Sequence, residues 1–416
     1  SKYIKSRETM SIMTRLTNIY LKFNRKILFS ANSQKKHKDM KDQCEYLEHF
    51  EKPRDVFEKA YFKYKCHAYY HYSFWIKMVY NCAGIIMIPI FLILLALERT
   101  KLEEEKLNLN GAIIIVSPTM DYKDILPKQI KEKYVNLKEV KPLKLTERSM
   151  DQEAWRILRK CLMRYWVHPY FCLEVLIRLA CNCKLIQLYH PQAIIGYGWE
   201  RDFAAPILLQ YCNSKGVERL TFMHGIFVYS IDKAFLSFNK YYVWEEYYVK
   251  MFRKLKADSN CLEIYKPQKY EAIVKPRPVG TKYEYFLTYY FTAESKERML
   301  RIKKCLDLLS EHGFVCKLRP HPRFTDVKLL EETFEGYLIE DCSWTLADSM
   351  ECSEYIAAYN STVLAEAYYS EKEIVIDDYV DPEKFQNMID RDYIMLSRPH
   401  KLMSEIIQEK CGVNIL

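Results

Sequence analysis

The chain has 416 residues, 49% hydrophobic and 28% charged. That length exceeds the roughly 250–300 residues at which a single core stops growing, and the composition excludes a disordered, low-complexity or repeat protein. The formal charge of +9 is concentrated: residues 1 to 41 carry eleven Lys/Arg against Glu8 and Asp39, so the remainder is close to neutral.

Fourteen cysteines in a chain this long, opening on no signal-peptide pattern, are expected to be reduced thiols and not a disulfide framework. No Cys-x-x-Cys spacing occurs, so no structural zinc is expected.

Within the basic stretch, Ile12, Leu16, Ile19, Phe23 and Ile27 recur at helical spacing while Arg15, Lys22, Arg25 and Lys26 occupy other faces. This predicts a basic amphipathic helix. Two placements are open to it, on an anionic membrane surface or packed on its own domain. The run Cys82 to Leu97 is uncharged and apolar, but it falls short of the roughly 20 residues that span a bilayer and contains Pro89. A buried core helix is expected, with shallow membrane insertion as the alternative, for which the flanking Tyr69, Tyr70, Tyr72 and Trp75 suit an interfacial belt. These aromatics fit no nucleic-acid module, and no nucleic-acid partner is expected.

Residues 111–116 read as a short buried strand closed by Pro118. Residues 193–196 and 220–223 read as two more, separated by a helix over 203–213 and a Lys215-Gly216 stop. A strand, helix, strand unit implies parallel pairing through a right-handed crossover, with functional loops at the carboxyl ends: Gly198 to Asp202, and His224-Gly225. Lys266 to Lys282, with Pro267, Pro276, Pro278 and Gly280, marks an interdomain connection. A second alternation follows: strand 285–289, helix 295–309, strand 314–318, helix 345–350, strand 355–358, strand 373–376. The expected fold class is α/β, two Rossmann-like domains facing a cleft. The expected division is a basic, apolar-rich segment over 1–110, an acceptor-binding domain over 111–275, a nucleotide-sugar domain over 280–400 and a carboxyl-terminal helix over 401–416.

The strand at 314–318 runs into Arg319-Pro320-His321-Pro322-Arg323. Prolines restrict the loop on both sides of the histidine, and two guanidinium groups suited to phosphate flank it. His168-Pro169 and His190-Pro191 lack that context and read as turns. Downstream, the strand ending at Ala358 enters Asn360-Ser361-Thr362 and a helix containing Glu366, with Asn360 or Ser361 as cap. Free amides at such a helix start favour phosphate.

Strand to Arg-Pro-His-Pro, then strand to Ser-Thr and a helix with Glu-Ala, resembles the carboxyl-terminal half of bacterial capsule and lipopolysaccharide sialyltransferases and polysialyltransferases. It is also similar to the Kdo transferases and teichoic acid polymerases, all of the GT-B plan. The resemblance implies a metal-independent inverting glycosyltransferase that needs no cofactor. It would move a sugar, sialic acid or a related acidic sugar from a CMP donor, onto a bacterial surface glycan or glycolipid. The location implied is cytoplasmic, peripheral on the inner membrane face. By the same resemblance His321 is acid or phosphate ligand, Arg319, Arg323, Asn360, Ser361 and Thr362 are donor ligands, and Glu366 meets a ribose hydroxyl. The polysialyltransferases carry an acidic, acidic, glycine triplet as base, which this chain lacks. His224, in a His-Gly pair similar to that of the teichoic acid polymerases, ranks first as base, followed by Asp202 and Glu200. Two other readings stay open: transfer of a polyol phosphate from a CDP donor, and a noncatalytic membrane-attached assembly protein.

Overall fold

The computed structural model describes residues 39–98, 111–116, 122–143, 148–267, 282–341 and 343–415. All but the last three residues of the basic stretch 1–41 lie outside these. Residues up to His224 together with Ser230–Tyr265 form one compact unit; Gly225–Tyr229 with Lys266 onward form a second. Most of the connection expected at Lys266–Lys282 also lies outside the described residues.

Among the described residues the first unit begins with three helices: α1 (Met40–Glu48), α2 (Val56–His71) and α3 (Phe74–Glu98). The sheet follows, its strands β1 (Ala112–Ile115), β2 (Leu137–Val140), β3 (Ala193–Tyr197), β4 (Glu218–Phe222), β5 (Lys240–Val243) and β6 (Leu262–Ile264) lying in the order β2-β1-β3-β4-β5-β6. Every adjacent pair is parallel. Between the strands run α4 (Lys128–Lys133), α5 (Gln152–Tyr165), α6 (Pro169–Tyr189), α7 (Ala205–Ser214) and α8 (Glu246–Lys254). The central strands read as unbroken apolar runs, Ala-Ile-Ile-Ile in β1 and Ala-Ile-Ile-Gly-Tyr in β3, because helices cover both faces of a parallel sheet. The edge strands β2 (Leu-Lys-Glu-Val) and β6 (Leu-Glu-Ile) are short and charged, and their sequences carry no detectable period. The two His-Pro turns prove to be helix boundaries. His168 precedes Pro169 at the first turn of α6, and His190 ends that helix in the left-handed conformation.

The apolar run does not form a core helix of its own length. α3 begins eight residues earlier and covers 25 residues with Pro89 inside it. One face carries Tyr80, Met87, Phe91 and Leu95 into the core; the other is exposed, Ile85 and Ile86 by 63% each. The expectation of burial is corrected, because the run is amphipathic only in context: its outward residues are as apolar as its inward ones. Gly84 marks the seam with α6, since a Cβ there would stand 2.6 Å from the Pro169 carbonyl carbon and the Tyr170 nitrogen.

The second unit contains β7 (Tyr285–Tyr290), α9 (Lys296–Glu311), β8 (Cys316–Arg319), α10 (Val327–Thr333), β9 (Leu338–Ile339), α11 (Leu346–Glu351), β10 (Ser353–Ala358) and α12 (Thr362–Tyr369). It ends with β11 (Glu373–Ile376), α13 (Pro382–Asp390), β12 (Lys401–Leu402) and α14 (Met403–Cys411). The strand order is β12-β11-β10-β7-β8-β9, again parallel throughout. Its core sets Leu287, Tyr289, Leu318 and Val375 of the sheet against Met299, Ile302 and Leu306 of α9 and Ile406 and Ile407 of α14. Two Rossmann-like units in one chain are the α/β composition of the GT-B class. Every described cysteine is a free thiol.

Gly84→Val is expected to destabilise the first unit by about 1–3 kcal/mol, because backbone occupies the space its side chain needs. Ile85→Val, on the exposed face beside it, should stay within about 0.5 kcal/mol. Urea unfolding of the two variants checks this; equal midpoints would contradict the seam.

Candidate functional site

Because every strand of the second sheet is parallel, its six carboxyl ends share one edge. The chain winds outward from the middle in both directions, β7 to β9 one way and β10 to β12 the other, so the switch point lies between β7 and β10. Ligands of open parallel sheets collect at that crevice. β7 leads into Thr292, Glu294 and the start of α9; β10 leads into Tyr359, Asn360 and the start of α12. His321 follows β8, the neighbour of β7. The His321 and Ser361 loops thus lie on one edge, two strand spacings or about 10 Å apart.

Helix chemistry fixes both walls of the crevice. Ser295 caps α9, its hydroxyl accepting the Arg298 amide. Ser361, not Asn360, caps α12, its Oγ accepting the Val363 amide at 3.3 Å. Asn360 and Thr362 are exposed beside it and Glu366 is buried one turn on. Gly225, the residue after His224 and part of the second unit, lies against Thr362, its notional Cβ 3.5 Å from the threonine Cγ2. The same short segment is pinned at its other end, where the Tyr229 amide donates to the Arg391 carbonyl and the Arg391 Nε to the Tyr229 carbonyl, each at 3.0 Å.

The His321 loop is held in one shape. The His321 amide donates to Thr325 Oγ1 at 2.8 Å, and that hydroxyl donates to the Thr292 carbonyl of the β7 loop at 2.8 Å. The His321 ring rests against Phe324, and its Nδ1 accepts the Arg323 amide at 3.1 Å. An Nδ1 that accepts carries no proton, so the neutral ring bears its hydrogen on Nε2. Partial burial, then the Arg323 charge, pushes the imidazole below its ordinary range, with Glu294 opposing. His321 is therefore a neutral hydrogen-bond donor at pH 7, not a resting imidazolium.

The two arginines of the motif separate. Arg319 does not reach outward as a donor ligand: its guanidinium binds Glu340 at 2.6 Å and the carbonyls of Trp344 at 3.0 Å and Thr345 at 3.3 Å. Glu340 is buried and also pairs with the buried Lys317, and that carboxylate claims the arginine. Arg323 is exposed, against the Phe324 ring. The cation that the motif reading missed is Arg298, in the first turn of α9. Its guanidinium lies over the Tyr359 ring at 5.1 Å, and its nearest anion, Asp381, is 3.7 Å away. Its buried Nε and Nη2 make no hydrogen bond among the described residues. The signal was the helix start at Ser295, three residues before an arginine and at the end of the loop that follows a strand.

In the first unit, His224 follows β4 and Gly198 follows β3. The His224 ring stands 6.4 Å from Tyr197, and its Cε1 would lie 3.6 Å from a Cβ on Gly198, which is held at φ +74°. The other two candidate bases serve the fold. Asp202 is buried, binds Arg219 at 2.9 Å and lies 3.5 Å from Arg178. Burial alone would raise its pKa, but the two arginines outweigh it and the net shift is downward, the wrong direction for a base. Glu200 is buried and accepts the Tyr241 hydroxyl at 2.9 Å. Arg219 itself is fully buried between the Trp199 and Phe238 rings.

Among the described residues, His67, His71 and Asp232 bring metal-ligating atoms within 4.8 Å of one another. The Asp232 carboxylate already takes Arg201 at 2.8 Å and His71 at 2.8 Å, with Lys233 at 3.6 Å. Two fixed cations on the one anionic ligand make this a poor home for a divalent ion.

No family model matches the chain, and no curated protein matches it. Among solved structures it is similar to UDP-N-acetylglucosamine 2-epimerase from Rickettsia bellii, with 11% identity, 74% of this chain and 89% of that one covered and a TM-score of 0.42. It is similar at the same TM-score to the wall teichoic acid polymerase TagF, with 9% identity over 80% of this chain and 87% of the other. A third is the S. aureus MnaA-UDP co-structure, with 11% identity, 64% and 78% covered and a TM-score of 0.41. At this distance the fold stands on the strand order itself.

Asp202→Asn is expected to cost about 3–5 kcal/mol of stability, because it leaves the buried Arg219 charge without its partner. Chemical unfolding measures it. A variant as stable as the parent would return Asp202 to the list of candidate bases.

Proposed function

We propose that the chain is a glycosyltransferase that binds its nucleotide-activated donor at the switch point of the second sheet. One observation carries the reading: the starts of α9 and α12 flank that crevice with Arg298 beside them, and the tethered His321 loop is one strand away. Helix amides, a guanidinium and a neutral Nε2–H together suit a phosphate that gains charge as it leaves. Arg298 takes the part expected of Arg319, and neutralisation of the phosphate is assigned to these groups without a metal. Glu366 is proposed for the ribose hydroxyl and Arg323 for the outer phosphate.

The reaction is a single displacement. His224 takes the acceptor hydroxyl proton and the oxygen attacks the anomeric carbon. The bond from that carbon to the phosphate oxygen breaks, its electron pair leaving on the nucleotide, with inversion. The finer reading is an acidic sugar from a CMP donor passed to a bacterial surface glycan, with the enzyme on the cytoplasmic side. It rests on the motif resemblance alone.

Incubation with CMP-, CDP-, UDP- and GDP-activated sugars and a CDP-polyol should give nucleotide release from one sugar donor. Release from none would sink the reading, and phosphate transfer from the CDP-polyol would replace it. In the active pairing, His224→Ala should abolish transfer while nucleotide binding by calorimetry persists. Arg298→Ala and His321→Ala should each lower turnover by about 100-fold or more.

The pH dependence follows from the His321 shift. A pKa below the ordinary 6.5 or so means the active, neutral form persists at and above neutrality and is lost only as pH falls. The His321 NMR titration midpoint is expected below that value, with turnover unchanged on the alkaline side. A midpoint above it, with activity falling as pH rises through it, would make His321 an imidazolium acid instead.

A further inference from the structure

The outward face of α3 serves no purpose inside the first unit. From Phe74 to Ala96 every exposed position on this helix is apolar, at the spacing of one helical stripe, and none carries a charge or a hydrogen-bonding amide. Phe74 and Trp75 are 68% and 75% exposed at one end, Ile85 and Ile86 63% each in the middle, and Ile93 50% toward the other. Twenty-three residues of helix make this stripe about 34 Å long. A folded monomer in water rarely leaves so large a contiguous apolar surface uncovered.

The stripe itself narrows what covers it. A protein partner would meet a hydrogen-bonding group every 100–200 Å² or so of interface, whereas the exposed positions from Val79 to Ala96 offer no charge, hydroxyl or amide. Counted over both its faces, the helix reaches a mean hydropathy of 2.3, high enough for a membrane segment. The opposite face, with Tyr80, Met87 and Phe91 in the core and Gly84 on the α6 backbone, holds the helix against the unit, so it cannot cross a bilayer as a free span. A half-buried apolar helix lies in the plane of the interface. The aromatic pair suits the headgroup boundary, and exposed Trp166 and Val167 stand one residue ahead of the Pro169–Tyr170 backbone that Gly84 touches. The charge agrees: the +9 borne by residues 1 to 41 complements an anionic surface.

We propose that the first unit docks on an anionic phospholipid bilayer through the exposed stripe of α3, with the helix parallel to the membrane plane and its Phe74, Trp75, Ile85 and Ile86 side chains among the upper acyl carbons. The test is flotation of the full chain with phosphatidylcholine vesicles containing a minority of phosphatidylglycerol, in low and high salt. Wild type should float, and part of that binding should survive high salt, because the α3 contribution is apolar. The double variant Ile85→Asn with Ile86→Asn, which changes no charge and replaces no core residue, should lose the salt-resistant part at least about tenfold. Its thermal unfolding should match wild type. Brominated lipid should quench the fluorescence of wild type more than that of Trp75→Phe. Equal flotation of the double variant overturns the proposal. So does a wild type that stays soluble as a dimer which the double variant splits, since a second copy then covers the stripe. Bromolipid quenching at Trp75 that appears only after residues 1–38 are removed also overturns it, because the chain's own segment is then the cover.

Discussion

Parallel pairing is the constraint on which the rest of this molecule depends. A parallel strand must be followed by a crossover that returns the chain to its starting edge. All carboxyl ends of a sheet therefore meet at one rim, and helix starts gather there. In the second unit that rule alone brings the loops after β7, β8 and β10 side by side, although they are spread over about seventy residues of sequence. The tether from Thr325 to the Thr292 carbonyl and the placement of Arg298 over Tyr359 then convert neighbouring loops into one surface.

Buried charge is arranged so that reactive-looking residues divide into two kinds. Asp202, Glu200 and Arg319 are committed: each is tied to a buried or half-buried partner within the fold, and the energy of such a pair lies mainly in not breaking it. His321 is held by a backbone amide, and Arg298 lies on an aromatic ring with Asp381 at 3.7 Å but outside hydrogen-bond reach, which fixes their positions and leaves donor hydrogens for a ligand. Positioned donors of that sort cost no reorganisation when charge develops on a substrate.

Much of this was legible in the sequence. The strands at 193–196 and 285–289, the helix start at Ser295 and a helix start at Asn360 or Ser361 were plain because apolar runs, turn residues and capping groups report local physics; of the last two, the structure makes Ser361 the cap. Strands β2, β5 and β6 were not, because a strand of three or four residues carrying Lys or Glu has no periodicity to detect. Arg319 was misjudged for a related reason: its partner Glu340 is twenty-one residues away on the far side of β9, and only the fold brings the carboxylate to it. The length of α3 was missed because Trp75, Lys77 and Asn81 interrupt the apolar run without interrupting the helix.

In the proposed function the crevice between β7 and β10 holds the donor phosphate. A crystal structure of the full chain soaked with the nucleotide released in turnover tests it most directly. Phosphate density is expected within hydrogen-bond reach of the α12 amino terminus at Ser361–Thr362 and of the Arg298 guanidinium. Phosphate bound away from that rim, with Arg298 still turned to Asp381 and the Ser361 amides untouched, would contradict it.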